Sequence, residues 1–422
     1  MDPQRDKVIA LVATLDTKGP EAAYLKERIE QRGFGVLILD TGILAHRDPS
    51  APEGQFSPEE IAAEGGADLR ELRLLFSEKG TRNKGIRAMA EGSALLLGRL
   101  YGEGRFRGVI GVGGAQGTEI STRAMQALPV GVPKLMVSTV ASGKTPFGIY
   151  VGTRDLTIMH SVVDILGLNS WTRRILANAA GAITGMCDID PLPEQPDRYR
   201  VGITIYGQTT PCGMALRSAL EEEGCEVVAF HSNGTGGRAM EEMAAEHLLE
   251  GLLDLTPHEL TDELFGGIHA GYPERILAAG RAGVPRLLVP GAIDVITMAE
   301  PESIPDAFRD QPRLPHNPHI TLVRVDRGRM IQLGRVMGER LNRSSGPVVV
   351  AIPREGYSFY NRPGLVFYDP PADLAFVEAL RGTLKREIPV HELSGHINDP
   401  EFAQALVPLF LGMMEQAGIN PG

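Results

Sequence analysis

The chain has 422 residues, 43% hydrophobic and 23% charged, which is apolar material for two or three cored domains and excludes disorder as the dominant state. Its 50 glycines and 30 prolines follow no period, so collagen-like and low-complexity architectures are excluded too. With 42 basic against 53 acidic residues the net charge is −11, a poor match to a phosphate-neutralising nucleic-acid surface.

Three scattered cysteines, Cys187, Cys212 and Cys225, make neither a disulfide framework nor a CxxC zinc pair, and they fit a reducing compartment. The first apolar run, Val8 to Val12, is too short for a signal-peptide core or a membrane helix. The expectation is a cytoplasmic protein with no membrane and no nucleic-acid partner.

Lys7 to Thr14 is apolar and β-branched and reads as a strand, followed by the polar turn Leu15 to Gly19. Pro20 opens a helix whose stripe is Ala22, Ala23, Leu25 and Ile29, and Gly33 closes it. A strand follows over Gly35 to Asp40. Beyond a charged segment at 51–82, the pattern predicts a helix over Asn83 to Tyr101, a strand over Arg107 to Val112, a helix over Thr118 to Leu128 and a strand over Pro133 to Ser138. Asp155 is placed to cap a helix beginning near Leu156.

Asp188 to Asp197 holds three prolines and four acids and reads as a linker. The alternation then restarts. Strands are expected over Arg200 to Tyr206, Glu226 to His231, Pro285 to Val289, Thr321 to Val325, Val348 to Ile352 and Pro389 to Leu393. Helices are expected over Pro211 to Glu223, Gly237 to Leu249 and Pro400 to Gln416. This βαβ pattern, met twice, predicts two Rossmann-like, doubly wound α/β domains with mainly parallel sheets, over 1–187 and 199–422, joined by a linker at 188–198.

Ligands of open α/β sheets lie at the carboxyl ends of strands. Two first-half loops fall there. Asp16-Thr17-Lys18-Gly19 offers backbone donors at a helix start, a cation for phosphate and, in Asp16, a ligand for a metal ion or a ribose hydroxyl. Gly111 to Thr118 offers Gly113, Gly114 and Gly117 for close backbone approach, and Thr118 to cap the helix or touch phosphate. Each loop can also be a plain βα turn. Ser142-Gly143-Lys144-Thr145 is no Walker A loop, because Ser138 stands where its first glycine belongs, and Gln116 breaks the dinucleotide glycine spacing. Asp155 is either a helix cap or a Mg²⁺ ligand.

In the second half, His231 to Arg238 ends a strand and opens a helix. It presents Gly234, Thr235, Gly236, Gly237 and Arg238 to an anionic group. Cys212, at a helix start, is either a thiol of lowered pKa or a small buried apolar residue. The clusters His316-Asn317-Pro318-His319 and His396-Ile397-Asn398-Asp399 are candidates for a general base or metal site, or plain turn residues.

Taken together, several stretches resemble a family of bacterial, fungal and plant proteins with a virus-resistance-type ATP-binding domain, among them the N-terminal region of the tomato mosaic virus resistance protein. In the first half they are Thr14 to Gly19, Gly111 to Thr118 and Val151-Gly152-Thr153-Arg154-Asp155. In the second they are Thr209 to Cys212, Gly234 to Glu241, Pro290-Gly291-Ala292-Ile293-Asp294, His316 to Pro318 and His396 to Pro400. The resemblance implies ATP and Mg²⁺ in the N-terminal domain, with Arg154 among the nucleotide-binding residues and Asp16 and Asp155 as metal ligands. The expected function is an enzyme acting on a small anionic metabolite in the inter-domain cleft. His231, Arg238, His316, His396 and Asp399 are its catalytic candidates, and Asp294 joins the 234–237 loop in binding substrate. The alternative is a nucleotide-sensing module without turnover. The resemblance also implies a homodimer. The stripe Phe402, Leu406, Leu409, Phe410 and Met413 of the last helix either packs back onto its own sheet or forms the dimer seam, for which the helix over Asn83 to Tyr101 is an equal candidate.

Overall fold

Unbroken apolar runs can be buried on both faces only in a sheet covered by helices on both sides, and that is the architecture found. The computed structural model describes residues 7–46, 48–77, 82–142, 148–189 and 198–419. Contacts divide the chain into unit 1, Met1–Pro193, and unit 2, Glu194–Gly422. Most of the expected linker, residues 190–197, and the Gly143 to Thr145 part of the Walker-like stretch lie outside the described residues. Among those described, no helix is long and apolar enough to cross a membrane.

Unit 1 runs β1 (Val8–Ala13), α1 (Leu15–Glu30), β2 (Gly35–Asp40), α2 (Pro58–Glu64), α3 (Leu69–Ser77), α4 (Arg82–Gly102), β3 (Gly108–Gly113), α5 (Ala115–Gln126), β4 (Lys134–Ser138), α6 (Gly148–Val151), β5 (Thr157–His160) and α7 (Ser170–Cys187). Its five parallel strands lie in the order β2-β1-β3-β4-β5. Successive side chains go to opposite faces. Ala10, Val12, Val109 and Met136 pack under α2, α4 and α5. Ile9, Leu11, Ile110 and Val137 pack under α1 and α7. The residues after Asp155 form β5 and not the helix expected near Leu156, so Asp155 caps no helix.

Unit 2 runs β6 (Arg200–Ile205), α8 (Thr210–Glu222), β7 (Glu226–His231), α9 (Gly236–Ala245), β8 (Gly251–Asp254), α10 (His258–Phe265), α11 (Leu277–Arg281), β9 (Arg286–Leu288), β10 (Val295–Met298), β11 (Arg313–Asn317), β12 (Ile320–Arg324), α12 (Arg327–Leu341), β13 (Val348–Pro353), α13 (Pro370–Thr383), β14 (Val390–Leu393) and α14 (Pro400–Gln416). The main sheet is parallel, in the order β14-β13-β9-β8-β6-β7. The strand over Thr321 to Val325 does not join it: β12 pairs antiparallel with β10 and β11 in a separate three-stranded sheet. α9 ends at Ala245, short of the expected Leu249, because the chain must turn there to feed β8.

The apolar stripe of α14 is not a free face. Phe402, Leu406, Phe410 and Met413 are buried against α8 and the main sheet of their own unit, in one core with Leu216, Leu253 and Val289. Of the two expectations for this stripe, the geometry shows packing onto its own sheet and not a dimer seam.

Candidate functional site

In both sheets the first strand is flanked by the second on one side and the third on the other, so the chain reverses its winding direction there. The crevice at the carboxyl ends of such a pair is where doubly wound sheets place ligands. In unit 1 it lies beyond β1 and β3, and a cavity of about 280 Å³ is found there. Its lining includes Asp16, Thr17 and Lys18 from the first turn of α1, Leu44 after β2, and Gly114 to Gly117 at the start of α5.

Gly114 is the N-cap of α5, in extended conformation, and brings no side chain to the helix end. The first α-helical bond there is Thr118 N–H to Gly114 O at 2.8 Å, so the N–H groups of Ala115, Gln116 and Gly117 precede the helical ladder. α5 carries no acid in its first turn. Glycine at 113 serves packing: a Cβ there would lie 2.9 Å from Gly117 Cα. Asp16 is held in place by the Leu44 N–H, 2.9 Å from Oδ2, and by the Thr17 hydroxyl, 3.2 Å from Oδ1. Lys18 lines the cavity and donates to the Ile165 carbonyl. Gly19 lets the 48–51 segment cover α1, since its Cβ would come within 2.8 Å of Asp48 and Ala51.

Three residues expected in this site are turned elsewhere. Thr118 is buried and shares a 2.7 Å hydrogen bond with Ser138, so its hydroxyl joins helix to strand. Asp155 accepts from the Gly131 N–H and from buried Lys134, both at 2.8 Å. Lys134 begins β4, so this pair sits at the amino end of the sheet, roughly 13 Å of strand away from the cavity end. Asp155 therefore shares no metal with Asp16. Arg154 donates through Nε to the carbonyl of Gln126, the last residue of α5, and so lies at the far end of the helix whose start lines the cavity.

The glycine loop of unit 2 already has its anion. Gly234 and Gly237 donate their N–H groups to Glu259 Oε1 at 3.0 and 3.1 Å. A Cβ on Gly237 would meet Glu259 Oε2 at 1.9 Å. Glu259 in turn accepts from Arg275 Nε at 2.9 Å, and the fully buried Arg275 guanidinium also binds Glu241 and Asp254. Burial works against charge in this cluster. The three carboxylates nonetheless raise the Arg275 pKa, and Arg275 lowers that of Asp254. The loop expected to bind substrate thus anchors α9 onto α10. Arg238 is taken by Glu242 at 2.6 Å. Thr235 is exposed, and its hydroxyl donates to Asn233 Oδ1.

Asp294, His396 and Asp399 do converge, through Ser358 and backbone. Ser358 donates to Asp294 Oδ2 at 2.7 Å, and the Ser358 carbonyl accepts from His396 Nε2 at 2.9 Å. His396 Nδ1 accepts from the Asn398 N–H at 3.1 Å, which fixes a neutral tautomer. Burial holds its pKa below the ordinary imidazole range. Asp399 accepts from the His396 N–H and from Arg362, which keep its carboxyl below the usual range despite partial burial. Asp294 Oδ1 is buried without a hydrogen-bond partner among the described residues. His316 is not part of this group. It is exposed near the β11–β12 turn, at the opposite end of β12 from Arg324, whose partner Val295 follows Asp294.

Cys212 is fully buried, and burial pushes its thiol pKa up to about 12, which settles it as a packing residue.

At the winding reversal of unit 2, between β6 and β8, the structure groups His231, expected from sequence, with Tyr206, His258, Asp262 and His269, which were not. Tyr206 follows β6 and stacks on His258 with ring centroids 4.6 Å apart. His258 starts α10 after β8, and Asp262 lies one turn on. His269 approaches edge-on, 5.8 Å from the Tyr206 ring and 6.1 Å from that of His258. His231, at the end of β7, lies 6.0 Å from Tyr206. One ligand atom each from His258, Asp262 and His269 falls within 4.8 Å of the others. The only sequence signal was the His-x-x-x-Asp spacing directly after an apolar strand, which puts both side chains on one helix face.

The N-terminal domain of the uncharacterised protein family UPF0261 matches residues 7–191, and its C-terminal domain matches residues 198–414. A UPF0261 protein of Clostridium tetani is 36% identical over 412 residues, covering 97% of this chain and 100% of that protein. One from Rhizobium meliloti is 39% identical over 408 residues, covering 96% and 98%. The "ToMV susceptible protein tm-1" of Solanum lycopersicum is 33% identical over 432 residues. That match covers 96% of this chain but 56% of the tomato protein, so the chain spans about half of that relative.

Proposed function

The chain belongs to the UPF0261 family, and we propose that its unit 1 binds ATP with Mg²⁺ while unit 2 acts on a small anionic metabolite. The observation that carries the nucleotide reading is the uncapped start of α5, opening into the cavity beyond β1 and β3 with Lys18 on its wall. Phosphate oxygens would accept from the N–H groups of Ala115, Gln116 and Gly117, and the helix dipole and the Lys18 ammonium would offset their charge. Asp16 is the one carboxylate among the lining residues, so Mg²⁺ would be held chiefly by phosphate and water, which suits an ion slow to shed its hydration. In unit 2 the candidate general base is exposed His231, beside Tyr206 and His269.

Calorimetric titration with ATP and Mg²⁺ tests the binding. Saturable heat is expected from the whole chain, and none at millimolar nucleotide would overturn the reading. The second reading, a nucleotide sensor without turnover, is favoured by one observation. The 234–237 loop, His396 and Asp399 are already committed to internal hydrogen bonds, which leaves fewer groups for chemistry. Phosphate release from ATP, followed with and without candidate metabolites, separates the two.

A further inference from the structure

The geometry points to a metal site in unit 2: His258 Nε2, Asp262 Oδ2 and His269 Nδ1 form a two-histidine, one-carboxylate set for a divalent first-row transition ion of the zinc type. The inference stands apart from the nucleotide reading, because it rests on another unit and on other residues.

His258 and Asp262 share one face of α10, both fully buried, with Nε2 and Oδ2 3.5 Å apart. Two ligands at zinc bond lengths of about 2.0–2.1 Å in tetrahedral geometry lie about 3.3 Å apart, so this pair is already close to chelating separation. The third ligand has no other occupation: His269 Nδ1 is buried and has no hydrogen-bond partner among the described residues. One ligand atom from each of the three residues lies within 4.8 Å of the others, so closing around an ion asks only a small shift of the half-buried His269 ring.

The surroundings hold each ligand in a coordinating pose. His258 Nδ1 faces the Ala292 carbonyl at 3.1 Å, the outer bond that would present Nε2 to an ion, and Nε2 now faces the Thr297 hydroxyl at 2.8 Å, a contact the ion would displace. That carbonyl belongs to a non-glycine residue at φ 53°, a costly backbone state. Asp262 is fixed by the Thr297 N–H at 2.9 Å and the His269 N–H at 3.0 Å. Gly267 keeps the carboxylate's place open, since a Cβ there would sit 2.1 Å from its carbon. Two imidazoles and one carboxylate suit zinc and its first-row neighbours rather than Ca²⁺ or Mg²⁺, which prefer oxygen ligands throughout. Three protein ligands leave a coordination position open. His258 and Asp262 are sealed, so solvent reaches that position from the His269 side.

The test uses the full, tag-free chain stripped of metal. Cobalt(II) is the optical probe and zinc(II) the calorimetric one. One ion per chain is expected, with cobalt showing the visible bands of low-coordinate nitrogen and oxygen ligation. His269→Gln and Asp262→Asn should each weaken binding by at least about tenfold, while His391→Gln, at an exposed position on β14, leaves it unchanged. Thermal melts accompany each variant. Zinc should raise the melting temperature of the wild type and not that of His269→Gln. Should Asp262→Asn fail to fold, the half-buried His269→Gln decides alone. No stoichiometric binding by the wild type at sub-millimolar metal, or undiminished binding in folded His269→Gln, overturns the site.

Discussion

Lys18 and His396 show how differently two polar side chains can serve the same fold. Lys18 lines a cavity beside an uncapped helix start and donates to the Ile165 carbonyl, so it serves both the cavity wall and a long-range contact. Lys18→Ala should weaken ATP binding by about tenfold or more, or about 1.4 kcal/mol, read by calorimetry, and lower the melting temperature of the free protein only modestly, through loss of the bond to Ile165. His396 is committed internally: its Nδ1 accepts from Asn398, and protonation there would break that bond. Its folded pKa lies below the ordinary 6.5, so on acidification the unfolded chain takes the proton first. Its contribution to stability is therefore complete above pH 6.5 and is lost as pH falls from there through the folded pKa. Urea midpoints at about pH 7.5 and about pH 5.5 should show a smaller acid loss in His396→Asn than in the wild type; an equal loss would contradict this.

At the scale of elements, α14 and the α9–α10 pair are the decisive contacts. α14 is a core helix, so Phe410→Ala should cost about 3–5 kcal/mol in urea unfolding. Phe410→Asp should abolish folding and not yield soluble monomer. The Glu259 carboxylate joins the start of α9 to α10, and Gly237→Ala would drive a methyl into it. That substitution should destabilise unit 2, seen as a lowered melting temperature, while ATP binding in unit 1 persists. Most elements were legible because apolar alternation and glycine or proline boundaries specify them locally, as in Gly35–Asp40 and Pro400–Gln416. β5 was not, because four half-covered residues are too few to show a period, and Asp155 before it resembled a helix cap. The Tyr206, His258 and His269 grouping was not either. Only the β7-β6-β8 pairing brings residues from three separate segments together, and sequence spacing carries no trace of that.

Over the whole molecule the two sheets repeat one plan. Each places its second strand on one side of the first and its third on the other, so each has its own crevice at strand ends. Unit 1 lines its crevice with glycines and Lys18, while unit 2 packs imidazoles and a phenol at its own winding reversal, His258 and Tyr206 buried and His231 exposed. We keep the homodimer as a proposal, with α4 as its seam in place of α14, because Leu95 on α4 is 54% exposed. Light scattering should give twice the 45.5 kDa chain mass, and Leu95→Glu should reduce it. The central claim is that the open start of α5 is an anion site, and Gly114→Asp tests it most directly. The backbone at Gly114 is extended at φ −78°, and a Cβ there meets nothing closer than Thr139 Oγ1 at 3.7 Å, so aspartate fits as a helix cap. Calorimetry with ATP and Mg²⁺ on this variant should show a melting temperature equal to or above that of the wild type and no nucleotide binding. A folded Gly114→Asp chain that binds ATP as tightly as the wild type would contradict the account.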